Sequence, residues 1–149
     1  MRIENALNTV GVHSTEELPR QARWTMQKAW RSAFASDWHD WSGPLLDMDW
    51  HVFSYKYVEH MTGAEAVAAF EARSGQSFIV SVDLAQGPTF KCTSSAKLDY
   101  MTLRNMWSGD LYLMNEALDW TFVLTHEQDL GPYFVERADC SEMETQDVE

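Results

Sequence analysis

The feature that most restricts the fold is one long stripe of apolar residues at helical spacing. Ala22, Met26, Ala29, Trp30, Ala33 and Phe34 fall at i, i+4, i+7, i+8, i+11 and i+12. That periodicity places them on one face of an amphipathic helix. Arg20, Arg23, Gln27 and Arg31 fall on the opposite side, a solvated face whose arginines can pair with excess acids. Pro19 suits the first turn, where its missing N–H goes unneeded. The spacing predicts a helix over residues 20–35.

Downstream, the periods alternate. Residues 50–57, WHVFSYKY, are aromatic and alternate in polarity, which predicts a strand. Thr62 and Glu65 have capping-box spacing, and Ala64, Val67, Ala68 and Ala72 then share one face up to Gly75. Together they predict a helix over 63–74. The run from Phe78 to Leu84 reads as a buried strand, with residues 89–92 as a short partner beyond Gly87-Pro88. Ser94 and Ser95 can cap a helix over 96–107. Residues 110–114 and 120–125 form a hairpin, and Gly131-Pro132 turns the chain into a last strand over 133–136. Ala6 to Val12 fits a short edge strand or an ordered arm. This order predicts a single α+β domain over residues 1–137, a largely antiparallel mixed sheet with about three packed helices. Trp30, Phe34, Val67, Phe78, Val80, Val82, Trp120 and Phe122 are its expected core.

Charge separates the domain from its C-terminal extension. The chain carries 11 basic and 23 acidic residues, a net of −12. Five acids fall in the last eleven residues, so 138–149 is expected to be a disordered acidic tail. Such a balance argues against nucleic acid or an anionic membrane as partner, since phosphate contacts need clustered Lys and Arg. No apolar run is long enough to span a bilayer, and the first residues lack a signal peptide's apolar stretch. The expectation is a cytoplasmic protein with reduced thiols, Cys92 as a small core residue and Cys140 exposed.

Two motifs carry a resemblance. Trp50-His51-Val52-Phe53-Ser54-Tyr55 precedes an Ala-rich helix. Trp120-Thr121-Phe122-Val123-Leu124-Thr125-His126-Glu127 is followed by Gly131-Pro132-Tyr133-Phe134. Over roughly residues 10–136 the chain resembles a family of small bacterial proteins known only as a domain of unknown function. The resemblance implies a fold and a compartment, not an activity.

Candidate sites are few. His126 can act as a general base oriented by Glu127 or Asp129. The plainer reading is a local hydrogen bond that fixes the turn into Gly131-Pro132, because neighbours on a strand point to opposite faces. His39, His51 and His60, with Asp37, Asp40, Asp47 or Asp49, lack metal-motif spacing and read as satisfied or exposed histidines. No glycine-rich phosphate loop, no Gly-x-Ser-x-Gly and no activated Cys is present, so no cofactor, metal or catalytic residue is expected. Among the aromatics, Trp38 and Trp41 are the pair expected to be exposed, since Asp and His interleave them.

These observations favour a non-catalytic binding protein, an immunity or inhibitor protein that neutralises a basic toxin or nuclease. A small enzyme centred on His126, or a self-associating structural protein, are the alternatives. The partner-binding residues expected are Asp110, Glu116, Asp119, Glu127 and Asp129, with Trp38 or Trp41 as an anchor. If the hairpin forms, Asp110 lies near the 127–129 end, and Glu116 and Asp119 mark the other.

Overall fold

A computed structural model describes residues 2–36, 38, 41, 48–75, 77–95, 97–127 and 129–137. Five helices and seven strands occur among them: α1 (Ile3–Thr9), β1 (Val12–Glu17), α2 (Arg20–Phe34), α3 (His51–Ser54), β2 (Met61–Thr62), α4 (Gly63–Arg73), β3 (Ser77–Ser81), β4 (Thr89–Ser94), α5 (Tyr100–Met106), β5 (Leu111–Met114), β6 (Trp120–Leu124) and β7 (Tyr133–Glu136). The strands form one sheet in the order β1-β4-β3-β5-β6-β7-β2, and every neighbouring pair is antiparallel. The class is α+β. The expected tail over 138–149, with Cys140, and the turn at 42–44 lie outside the described residues.

The centre of the sheet explains its own sequence. All four residues of β5 and all five of β6 are buried, because helices cover both faces. Side-chain alternation divides them between two cores. Leu111, Leu113, Trp120, Phe122 and Leu124 join Phe78, Val80, Phe90 and Phe134 beneath α1, α4 and α5. Tyr112, Met114 and Val123 join Ile79 and Tyr133 beneath α2 and α3. Of the expected core residues, Val67 and Val82 are only partly buried and the other six are buried.

Several local expectations are overturned. Residues 50–57 are not a strand: they hold the single turn α3, with Tyr55 N–H donating to the His51 carbonyl (2.9 Å). Trp50 and Phe53, three apart, are the buried pair, with Val52 beside them, and Lys56 at φ 61° turns the chain away. A short segment rich in β-formers takes the conformation that lets its rings reach the sheet. The segment expected as an arm starts as helix α1, and the edge strand β1 begins only at Val12. Thr62 stands at the α4 N-terminus, but its hydroxyl makes no capping bond, and its backbone pairs with Tyr133 instead. Helix α5 starts at Tyr100, capped by Asp99, which accepts from Thr102 N–H (2.8 Å). Ser94 is a buried residue of β4. β3 ends at Ser81 because the Asp83 carboxylate accepts from the Ala85 and Gln86 amides (both 3.0 Å) and folds the chain into a turn.

The helix α2 runs as expected, but its polar side is not simply solvated. Gln27 is buried and donates to Asp49 (3.0 Å). Arg31 donates to the same carboxylate (2.8 Å), and Arg23 bonds Glu17 and the Leu18 and Gln86 carbonyls. Trp24, on this side, is 61% exposed.

Candidate functional site

The β5–β6 hairpin brings the candidate residues to two separate ends. Leu111 pairs with Leu124, so Asp110 and His126 are carried together just beyond the strands. One Asp110 oxygen accepts from His126 N–H (2.7 Å) and lies 2.8 Å from His126 Nδ1; the other accepts from Trp50 Nε1 (3.1 Å). A carboxylate only accepts, so Nδ1 is the donor and the tautomer is set. The orienting group is therefore Asp110, and neither Glu127 nor Asp129. The His126 side chain is 45% exposed and Asp110 only 16%. An imidazole held this way has one half of an acid–base apparatus. Among the described residues no hydroxyl or thiol is hydrogen-bonded to it.

Trp50 ties this end of the sheet to α3. Its backbone N–H donates to the Tyr112 hydroxyl (3.0 Å). Burial, then the Asp49, Asp110 and Asp83 carboxylates, push that hydroxyl well above the usual tyrosine range, against the opposing pull of the Trp50 amide. Gln27, Asp49, Asp83, Asp110 and Tyr112 line a small cavity of about 100 Å³.

From Trp50 a continuous band of rings runs outward. Trp50 lies 4.3 Å from the His51 ring and 5.8 Å from His126. His51 stacks on Tyr55 at 4.9 Å, Tyr55 lies 5.9 Å from Tyr57, and Tyr57 stacks on Trp38 at 4.1 Å. Tyr55 and Tyr57 are among the exposed large apolar residues, at 43% and 39%. Trp38 and Trp41 are not the exposed pair: both are partly buried, Trp38 under Tyr57 and Trp41 against Arg31, whose guanidinium sits 4.1 Å from the indole ring.

The five candidate acids divide by anchoring as well as by position. Glu127 and Asp129 are exposed on the segment after His126, and Glu127 helps raise the Tyr133 hydroxyl, after the larger effect of burial. Glu116 is exposed at the far end of the hairpin. Asp119 beside it accepts from Asn115 (2.9 Å) and faces Arg137 at 3.5 Å, so it holds the turn. Asp110 and Asp119 are thus structural anchors, and the freely presented acids are Glu116, Glu127 and Asp129. Trp50, Phe53, Tyr55 and Tyr57 form an aromatic concentration that reads as core or as a stacking surface; Trp50 and Phe53 are core, and Tyr55 and Tyr57 are exposed.

His51 and His60 make local contacts. His51 Nδ1 lies 3.2 Å from Ser54 Oγ, and His60 Nδ1 lies 2.7 Å from the Val58 carbonyl. His39, Asp37, Asp40 and Asp47 lie outside the described residues. Among the described residues no three His, Cys, Asp or Glu side chains gather as a metal site requires. Cys92 is buried in the core, and burial pushes its thiol up to about 12. No helix among the described residues is long and apolar enough to cross a membrane.

Comparison with known proteins returns no match among curated proteins and none among solved structures. A family model described as a domain of unknown function (DUF4275) matches residues 1–134, from before α1 into β7, and the chain belongs to that family.

Proposed function

We propose that this protein is a non-catalytic, cytoplasmic binding protein that neutralises a basic protein partner, as an immunity or inhibitor protein does for a toxin or nuclease. One observation carries the reading: the aromatic band from Trp38 to His126 ends on the segment that carries the exposed acids Glu127 and Asp129. Exposed tyrosines supply contact area at low entropic cost, and interface hot spots favour Tyr and Trp. Carboxylates at the rim steer a positive partner and raise its association rate. A chain of net charge −12 gains from a partner that relieves its self-repulsion.

The test is association kinetics with a basic partner captured from the source cell, measured against salt. Glu127→Lys with Asp129→Lys should slow association by about tenfold or more at low salt, since rim charges act mainly on the on-rate. Tyr55→Ala with Tyr57→Ala should speed dissociation. An association rate indifferent to salt and to the charge reversal would refute the reading. The His126–Asp110 contact favours a second reading, an enzyme using an oriented imidazole. A turnover abolished in a folded His126→Ala variant would establish that alternative.

A further inference from the structure

The sheet ends in an incomplete edge. β2 pairs with β7 only at Met61↔Phe134 and Thr62↔Tyr133. Gly63 N–H donates to the Pro132 carbonyl (3.1 Å), while Arg137 N–H donates to the Asp119 carbonyl on the β6 side (2.9 Å). Backbone groups of alternate residues face the same neighbour in an antiparallel strand. Pro132, Phe134 and Glu136 therefore face the β2 side, and Tyr133, Val135 and Arg137 face β6. Had β2 continued backwards, Glu59 would lie opposite Glu136. It does not pair: among the described residues no backbone hydrogen bond joins Glu59 or His60 to Glu136. Among the described residues the Glu136 N–H and C=O have no backbone partner on this side and face a cleft.

That cleft has a volume of about 340 Å³. Met61, 37% exposed, and the partly buried Val135 give it apolar surface; Phe134, which also lines it, is buried. Glu59, Glu65 and Glu136 stand at it, with His60 between strand and rim. Arg73 pairs with Glu136 at 3.2 Å, leaving Glu59 and Glu65, both exposed, in excess. An apolar wall under carboxylates matches a Lys or Arg side chain, which buries its aliphatic stem and keeps its charge at the rim. An unpaired strand edge matches an extended backbone.

We infer that this cleft takes a short extended segment of a partner, carrying a Lys or Arg, which pairs with the Glu136 backbone where β2 stops. The inference rests on the basic-partner reading and adds a second contact, on the β7 edge instead of the aromatic band. An arginine-bearing segment satisfies both features of the cleft. A second copy of this acidic chain satisfies only the backbone.

The probe is the acetylated, amidated peptide Val-Arg-Val-Arg-Val, titrated into the full isotope-labelled chain at low salt, with Val-Gln-Val-Gln-Val as control. The expected result is slowed exchange and a shifted resonance at the Glu136 amide with the arginine peptide alone. Glu59→Gln with Glu65→Gln should weaken binding by about tenfold, as loss of a partly desolvated charge contact does. Glu4→Gln with Glu16→Gln, removing the same charge at the β1 edge of the sheet, should leave it unchanged. An unprotected Glu136 amide, no binding of the arginine peptide, or equal weakening by both pairs would each overturn the inference. Because the peptide is not the partner, these outcomes are independent of the Glu127 and Asp129 kinetics that test the function.

Discussion

The two faces of the sheet are built by different means. Beneath α1, α4 and α5 the packing is apolar: Phe70 stacks on Phe122 at 4.2 Å and meets Trp120 edge-on at 5.8 Å. Beneath α2 and α3 the packing is threaded with polar contacts. Trp30 Nε1 donates to Thr121 (3.0 Å), Trp50 binds Asp110 and the Tyr112 hydroxyl, and Asp49 takes both Gln27 and Arg31. An apolar core asks chiefly for the right volume, whereas a buried polar network asks for particular atoms at particular places. The aromatic band and the His126–Asp110 contact both lie on the polar side. The difference teaches that one face is specified mainly by volume and the other by the positions of particular atoms.

The largest effects should come from ring truncation on either face. Phe122→Ala and Trp30→Ala should each cost about 3–5 kcal/mol, read from urea unfolding. The comparison sharpens in the gentler variants. Phe122→Leu keeps most of the volume and should cost less than about 1.5 kcal/mol. Trp30→Phe also loses the indole N–H and should add about 1 kcal/mol for the bond to Thr121. Equal tolerance on both faces would break the distinction.

A smaller effect is expected at Asp49. Asp49→Ala leaves Gln27 and Arg31 without their carboxylate, and should cost about 2–3 kcal/mol, reduced from a fully buried pair because Arg31 is partly exposed. Salt should change that cost little, because Asp49 itself is buried.

The smallest is at Tyr112. Tyr112→Phe removes the acceptor for Trp50 N–H and should cost about 1 kcal/mol at neutral pH. Its pH dependence has a definite sign. The folded hydroxyl ionises well above the usual value, while the unfolded one ionises at about 10. The contribution of neutral Tyr112 is thus complete below about pH 10 and is lost as pH rises above it. Alkaline unfolding should be less steep in Tyr112→Phe. An unchanged slope would show that the hydroxyl is solvated in the folded state.

How much was legible depended on how local the cause was. α2 and α4 follow from i, i+4 spacing, and β5 and β6 from short apolar runs, because each pattern is a property of neighbouring residues. The β5–β6 hairpin that carries Asp110 to the far end of β6 was also legible, since hairpin pairing follows from loop length; the contact of Asp110 with His126 was not. α3 was not. Its residues alternate like a strand, and only the sheet beneath, with Asp110 and the Tyr112 hydroxyl placed to bond Trp50, selects a helical turn. The candidate acids were identified as residues but not as roles, because anchoring is a question of partners: Asp119 is claimed by Asn115 and Arg137, and Asp110 by His126 and Trp50.

Taken alone, the amino-acid order determined the α+β class, the long amphipathic helix, the central hairpin, the acidity and the family likeness. Periodicity, propensity and charge act over a few residues or over the whole chain, and need no coordinates. The tertiary structure alone decided that helices cover both faces, that Gln27 and Arg31 serve Asp49, that Tyr55 and Tyr57 carry the exposed ring surface, and that β2 stops short of Glu136. Each of these depends on which distant segments meet. A polar or aromatic side chain takes its role from the partner that burial brings to it, and that partner is set by the packing of the whole domain.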